Sequence, residues 1–129
     1  MTNYNLEELE LFNIQLILTA LTIGTLLVSM TLTYNEKLKI QNEPPILTDE
    51  ESSNLLVLNR GLAVFIGIGF LLLNIQDRKI KETDGKINLK FADMQIEASI
   101  ISLVSAFIVL YVAMNDTNQE IIANENPQL

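Results

Sequence analysis

The chain has 129 residues, 49% of them hydrophobic, with a mean hydropathy of +0.30, 16 acids against 8 bases, and neither Cys nor His. That length allows one compact unit. The missing Cys and His exclude thiolate nucleophiles, imidazole bases, disulfides and the usual nitrogen or sulfur ligands of zinc, copper and haem. A formal charge of −8 opposes non-specific attraction to nucleic acid.

The apolar residues are gathered in three blocks, the pattern of membrane spans rather than of a soluble core. Residues 1–10 carry only Glu7, Glu8 and Glu10 as charges. A cleaved signal peptide, which needs a basic start and a shorter apolar run, is therefore not expected, and Met1–Leu129 reads as the mature chain. Asn5 followed by Glu8 has capping-box spacing and predicts a helix start there. The first block, Leu11 to Tyr34, has 24 residues without a charge, which as a helix exceeds the roughly 30 Å hydrocarbon core.

In the first loop Pro44 and Pro45 exclude regular helix. Thr48 and Glu51 repeat the capping-box spacing just ahead of the second block, so a second helix is expected to begin near Asp49 and to cross between about Leu55 and Ile75. In the second loop Asp84-Gly85 stands between Ile80 and the alternating Ile87, Leu89 and Phe91. This is the signal of a short β-hairpin, weighed against an irregular amphipathic lip. The third block runs from Ala92 to Met114, and its uncharged part, beginning at Ala98, has 17 residues, near the lower limit for a span. Residues 115–129 are polar and acidic and read as a flexible tail. The abundance of Ile and Asn leans towards a bacterial origin.

Orientation follows from the bases in short flanking segments. The second loop and its borders hold Arg78, Lys79, Lys81, Lys86 and Lys90, against Lys37 and Lys39 at the first loop and none in either tail. The second loop is expected on the cytoplasmic side of the cell membrane, the N-terminus inside and the C-terminus outside.

Within the spans, Arg60 stands five residues past Leu55, about 7 Å deep, where a long guanidinium side chain can snorkel to the interface. The rival reading pairs it with an acid such as Glu43, Asp49 or Asp116, because an intramembrane charge is a functional candidate. Asp93 and Glu97, at i and i+4, read as a solvated helix entrance, with a cation contact as the alternative. Small and polar residues form one stripe per helix: Gln15, Thr19, Thr22, Ser29 and Thr33 with Thr25 at the margin; Asn59, Ala63, Gly67 and Asn74; and Gln95, Ser99, Ser102, Ala106 and Ala113. Such stripes let helix backbones approach and hydrogen-bond across a seam. Ala63 and Gly67 form a small-xxx-small pair, and Gly67 and Gly69 read as packing residues, not a nucleotide fingerprint.

The expected architecture is a single all-α membrane domain of three transmembrane helices packed as a small bundle. No catalytic constellation, cofactor site or metal site is read from the sequence, so an enzyme is not expected. The expected function is helix–helix interaction in the bilayer, with itself or another membrane protein, as an accessory, scaffold or immunity-type subunit. Asn59, Arg60, Ala63, Gly67 and Asn74 are the candidate contacts. The alternative is a small oligomeric channel or transporter using Arg60 or Glu97.

Overall fold

The computed structural model describes residues 3–85 and 88–116. They form three helices, α1 (Asn3–Ile40), α2 (Asp49–Thr83) and α3 (Lys90–Asn115), with no strand among the described residues. At 1.5 Å per residue these are about 57, 52 and 39 Å long, so each exceeds the hydrocarbon thickness of roughly 30 Å. All three are apolar enough to cross a membrane. Most of their apolar surface is not used in internal packing: 6% of the most apolar stretch is buried in α1 and in α3, against 28% in α2. Leu16, Ile17, Phe65 and Ile101 are all more than 60% exposed, a surface that suits acyl chains rather than water.

Local sequence explains most of the boundaries. α1 already begins at Asn3, so Asn5 lies inside the helix and is not its N-cap, contrary to the spacing argument. The good helix formers Leu6, Glu7, Glu8 and Leu9 carry the helix past that point. At the other end Asn42 takes a left-handed φ of 58°. Its N–H donates to the Lys39 carbonyl and that of Glu43 to the Leu38 carbonyl, the paired bonds of a Schellman stop. Pro44 and Pro45 follow outside any helix. Thr48 then accepts from the Glu51 N–H while the Glu51 carboxylate accepts from the Thr48 N–H, and α2 begins at Asp49 as the capping box requires.

No β-hairpin is found among the described residues. α2 continues through Ile80 to Thr83, because Ile80 keeps helical rather than alternating period. It is 4% exposed and shares a buried cluster with Leu73, two turns back, and Leu11 of α1. Ion pairs one turn apart, Asp77–Lys81 and Arg78–Glu82, support the same turns. Asp84-Gly85 ends the helix instead of turning a hairpin, with Gly85 at φ +85°. Leu89 becomes the N-cap of α3 and Phe91 lies in its first turn. Ile87 and the tail from 117 onward are outside the described residues.

α2 is the middle helix. α1 and α3 each pack on it, and among the described residues their backbones do not pack on each other. α2 and α3 run antiparallel, with Gly67 against Leu103, Asn74 against Ser99 and Arg78 against Asp93. α1 and α2 are also antiparallel, joined by Leu32–Leu56 towards the first loop and Leu11–Leu73 towards the second. Ala113 of α3 joins the Leu32–Leu56 cluster, so the three helices converge at the first-loop end and leave a furrow elsewhere.

Candidate functional site

The furrow is the candidate site. It runs along α2 between α1 and α3 with a volume of about 540 Å³. Thr19, Thr22 and Thr25 form one wall, Ala63, Gly67 and Asn74 the floor, and Gln95, Ser99, Ser102 and Ala106 the other wall. These are the stripes read from the sequence, yet they do not meet in one three-way seam. Where α2 carries Ala63 and Gly67 the floor stays low. A Cβ on Gly67 would stand 3.2 Å from the Leu103 side chain, tight enough that the small residue is what lets α3 lie so close.

The hydroxyls are built for a dry setting. Thr19 donates to the Gln15 carbonyl at 2.8 Å, Thr22 to that of Leu18 at 2.9 Å, Thr25 to that of Thr22 at 2.7 Å and Ser99 to that of Gln95 at 2.9 Å. Each proton is satisfied within its own helix, the usual arrangement for Ser and Thr in apolar helices. Asn74 spans the α2–α3 seam by donating to the Ser99 hydroxyl. The Gln95 amide and the Ser102 hydroxyl line the furrow without a hydrogen bond to another described residue.

A buried amide ties α1 to α2, and a buried guanidinium follows it on α2. Asn59, 4% exposed, donates from Nδ2 to the Thr25 carbonyl and the Ser29 hydroxyl, both at 3.2 Å. Arg60 is 8% exposed. Its side chain is therefore enclosed by the bundle, not laid along a lipid-facing flank from which it would snorkel. The antiparallel register places it towards the first loop, whereas Glu97 lies one turn from Asp93 at the opposite end, so the two are not paired. Glu97 is exposed. Asp93 is bound: the Arg78 Nε donates to it, and Arg78 Nη1 reaches Glu82 at 2.9 Å. This raises the Arg78 pKa above its ordinary value, chiefly through the bond to Asp93.

Three features escaped the sequence reading. Asn35 is fully buried, accepts at Oδ1 from the N–H groups of Ile46 and Leu47 at 2.8 and 2.9 Å, and so folds the first loop back onto α1. The pairing of Arg78 with Asp93 is the second. The third is a group of side chains at the second-loop end of the furrow, where an adjoining cavity of about 400 Å³ is lined by Tyr4, Glu8, Gln15, Asp77, Lys81 and Gln95 among others. A lone Asn after an apolar block, and opposite charges on separate blocks such as Arg78 and Asp93, carry no pairing signal in one sequence.

The furrow offers hydroxyls and amides but no base beside a nucleophile, and no group of three acids among the described residues is placed to hold a metal ion. What it does offer is a concave, small-residue surface within the apolar stretch. Comparison with protein-family models, with curated proteins and with solved structures finds no match to this chain.

Proposed function

We propose that this small membrane protein acts by receiving a transmembrane helix in the furrow between α1 and α3. The observation that carries this reading is the furrow itself: three helices that pack pairwise and leave small and polar side chains uncovered at membrane depth. A buried amide without a partner costs about 1–3 kcal/mol, and hydrocarbon supplies no partner at all. An acyl chain filling the furrow would leave the Gln95 amide and Ser102 hydroxyl unbonded. A helix with its own small or polar residues can both pack and hydrogen-bond there, each such bond contributing about 0.6–2 kcal/mol. The role is that of an accessory, scaffold or immunity-type subunit, with the second loop cytoplasmic and the acidic tail outside, as the distribution of bases indicates.

The test is the mass and composition of the complex released from native membranes by mild detergent, for the unaltered chain and for Ala106→Phe, which fills the furrow. A stoichiometric partner lost in Ala106→Phe supports the reading. A homo-oligomer lost in the same variant makes the docked helix that of a second copy, and brings forward the channel or transporter reading, with flux assays on Arg60→Ala and Glu97→Gln. A monomer in the unaltered protein rejects both.

A further inference from the structure

At the second-loop end, α1 meets α2 through charged groups rather than through a stripe of small residues. Leu11, Leu73 and Ile80 form a buried cluster there with Tyr4 and Phe70 packed against it. Over this cluster lie the Glu8 carboxyl of α1 and the Asp77 carboxyl of α2. Lys81 Nζ stands 2.8 Å from Asp77 Oδ2, so a cation sits against the Asp77 carboxylate. Glu8 lines the same cavity as Asp77 and Tyr4, near enough for the Asp77 charge to act on it. As a carboxylate, however, its Oε1 is buried and has no donor among the described residues.

Two carboxylates cannot bond to each other, whereas a carboxylic acid can donate to a carboxylate in a short, charge-assisted bond. One proton on Glu8 therefore removes both the buried charge and the like-charge contact. The groups that face Glu8 are Tyr4 on its own helix and Asp77 and Lys81 on α2, while α3 presents Gln95, which does not titrate. Asp84 acts on Tyr4, and the acid of α3 nearest this end, Asp93, is engaged by Arg78.

We propose that a proton latches α1 to α2 at this end: Glu8 donates it to Asp77, and its loss parts the first turns of α1 from α2 and widens the second-loop mouth of the furrow. Glu8 lies ahead of the charge-free stretch that starts at Leu11, so the latch is open to the aqueous side. The Glu8 carboxyl is held above its ordinary value of about 4.5, first by burial and then by the Asp77 charge. Because the folded value is raised, the contribution of the latch is complete below about 4.5 and is lost as pH climbs through the raised value. This mechanism stands whether or not a helix occupies the furrow.

The chain contains no Cys, so spin labels at Leu6→Cys on α1 and Lys79→Cys on α2, both exposed, report this end alone. The full-length protein in lipid nanodiscs would be followed by pulsed electron resonance from about pH 4 to about pH 9, spanning the carboxyl range. The expected result is one narrow distance at low pH and a longer, broader distribution at high pH, with Glu8→Gln holding the narrow distance throughout. A distribution that ignores pH in the otherwise unaltered chain overturns the latch, as does a Glu8→Gln protein that opens with pH equally. Isotope-edited infrared of the carboxyl C=O gives a readout independent of the variant's folding. Titration at the ordinary glutamate value would also overturn it.

Discussion

Replacing each helical glycine by alanine separates packing from helix propensity inside one molecule. Alanine is favoured over glycine in a helix interior by about 0.8–1 kcal/mol. A Cβ at Gly24 or Gly61 meets nothing within 4 Å, so Gly24→Ala and Gly61→Ala are expected to stabilise the isolated protein by up to about 1 kcal/mol. At Gly69 the new Cβ would stand 2.8 and 3.1 Å from the two δ-methyls of Leu18. Leu18 is itself only 6% exposed and has little room to yield. Overpacking of this kind costs about 1–3 kcal/mol, which offsets the propensity gain and leaves Gly69→Ala destabilised by roughly 0–2 kcal/mol. Gly67→Ala, facing Leu103 at 3.2 Å, is expected between the two. Denaturant titration in detergent micelles, read by loss of helix packing in a single-label fluorescence assay, ranks the four. If Gly69→Ala proves as stable as Gly24→Ala, the α1–α2 approach described above is incorrect.

Asn35→Ala strands the Ile46 and Leu47 N–H groups, each worth about 1–3 kcal/mol when buried unbonded, so first-loop amide exchange should accelerate at those two positions while α3 is unaffected. Asn59→Leu removes both bonds to α1 and is expected to cost about 1–2 kcal/mol in micelles, measured against Asn54→Leu at an exposed position of the same helix. Reversing the ion pair with Arg78→Asp and Asp93→Arg together should recover most of the α2–α3 stability that either change alone loses, because the exposed pair needs opposite signs rather than a fixed order. Single cysteines at Glu43 and Asn88 should label from outside and from inside respectively with an impermeant thiol reagent, the reverse pattern inverting the orientation drawn from the bases.

Much of the fold could be read from the sequence because membrane spans and helix ends are local signals. Thr48 and Glu51 mark the start of α2 within three residues of chain, and the charge-free runs mark the spans without reference to any partner. The hairpin signal came from the same locality: Asp84-Gly85 followed by the alternating Ile87, Leu89 and Phe91 imitates a turn and a strand, and only the contact of Ile80 with Leu11 on another helix shows that the helical period prevails before it. The stripes of the candidate furrow were visible as periodicity, but not that α2 would stand between α1 and α3 and hold them apart. Helix order in space depends on which pairs pack best, and Gly67 facing Leu103 while Gly69 faces Leu18 settles that only in three dimensions. Arg60 looked shallow by distance along its own helix. Its enclosure depends on neighbours that one sequence does not place.

Whether a helix lies in the furrow can be read by site-specific photo-crosslinking in native membranes. A photoreactive side chain at Ser102, which lines the furrow, is compared with one at Ile101, which is 67% exposed on the outer face of the same turn. A discrete polypeptide adduct is expected from position 102, its mass identifying a second copy or another membrane protein, and lipid adducts alone from position 101. Lipid adducts from both positions, or the same polypeptide from both, would contradict a helix there.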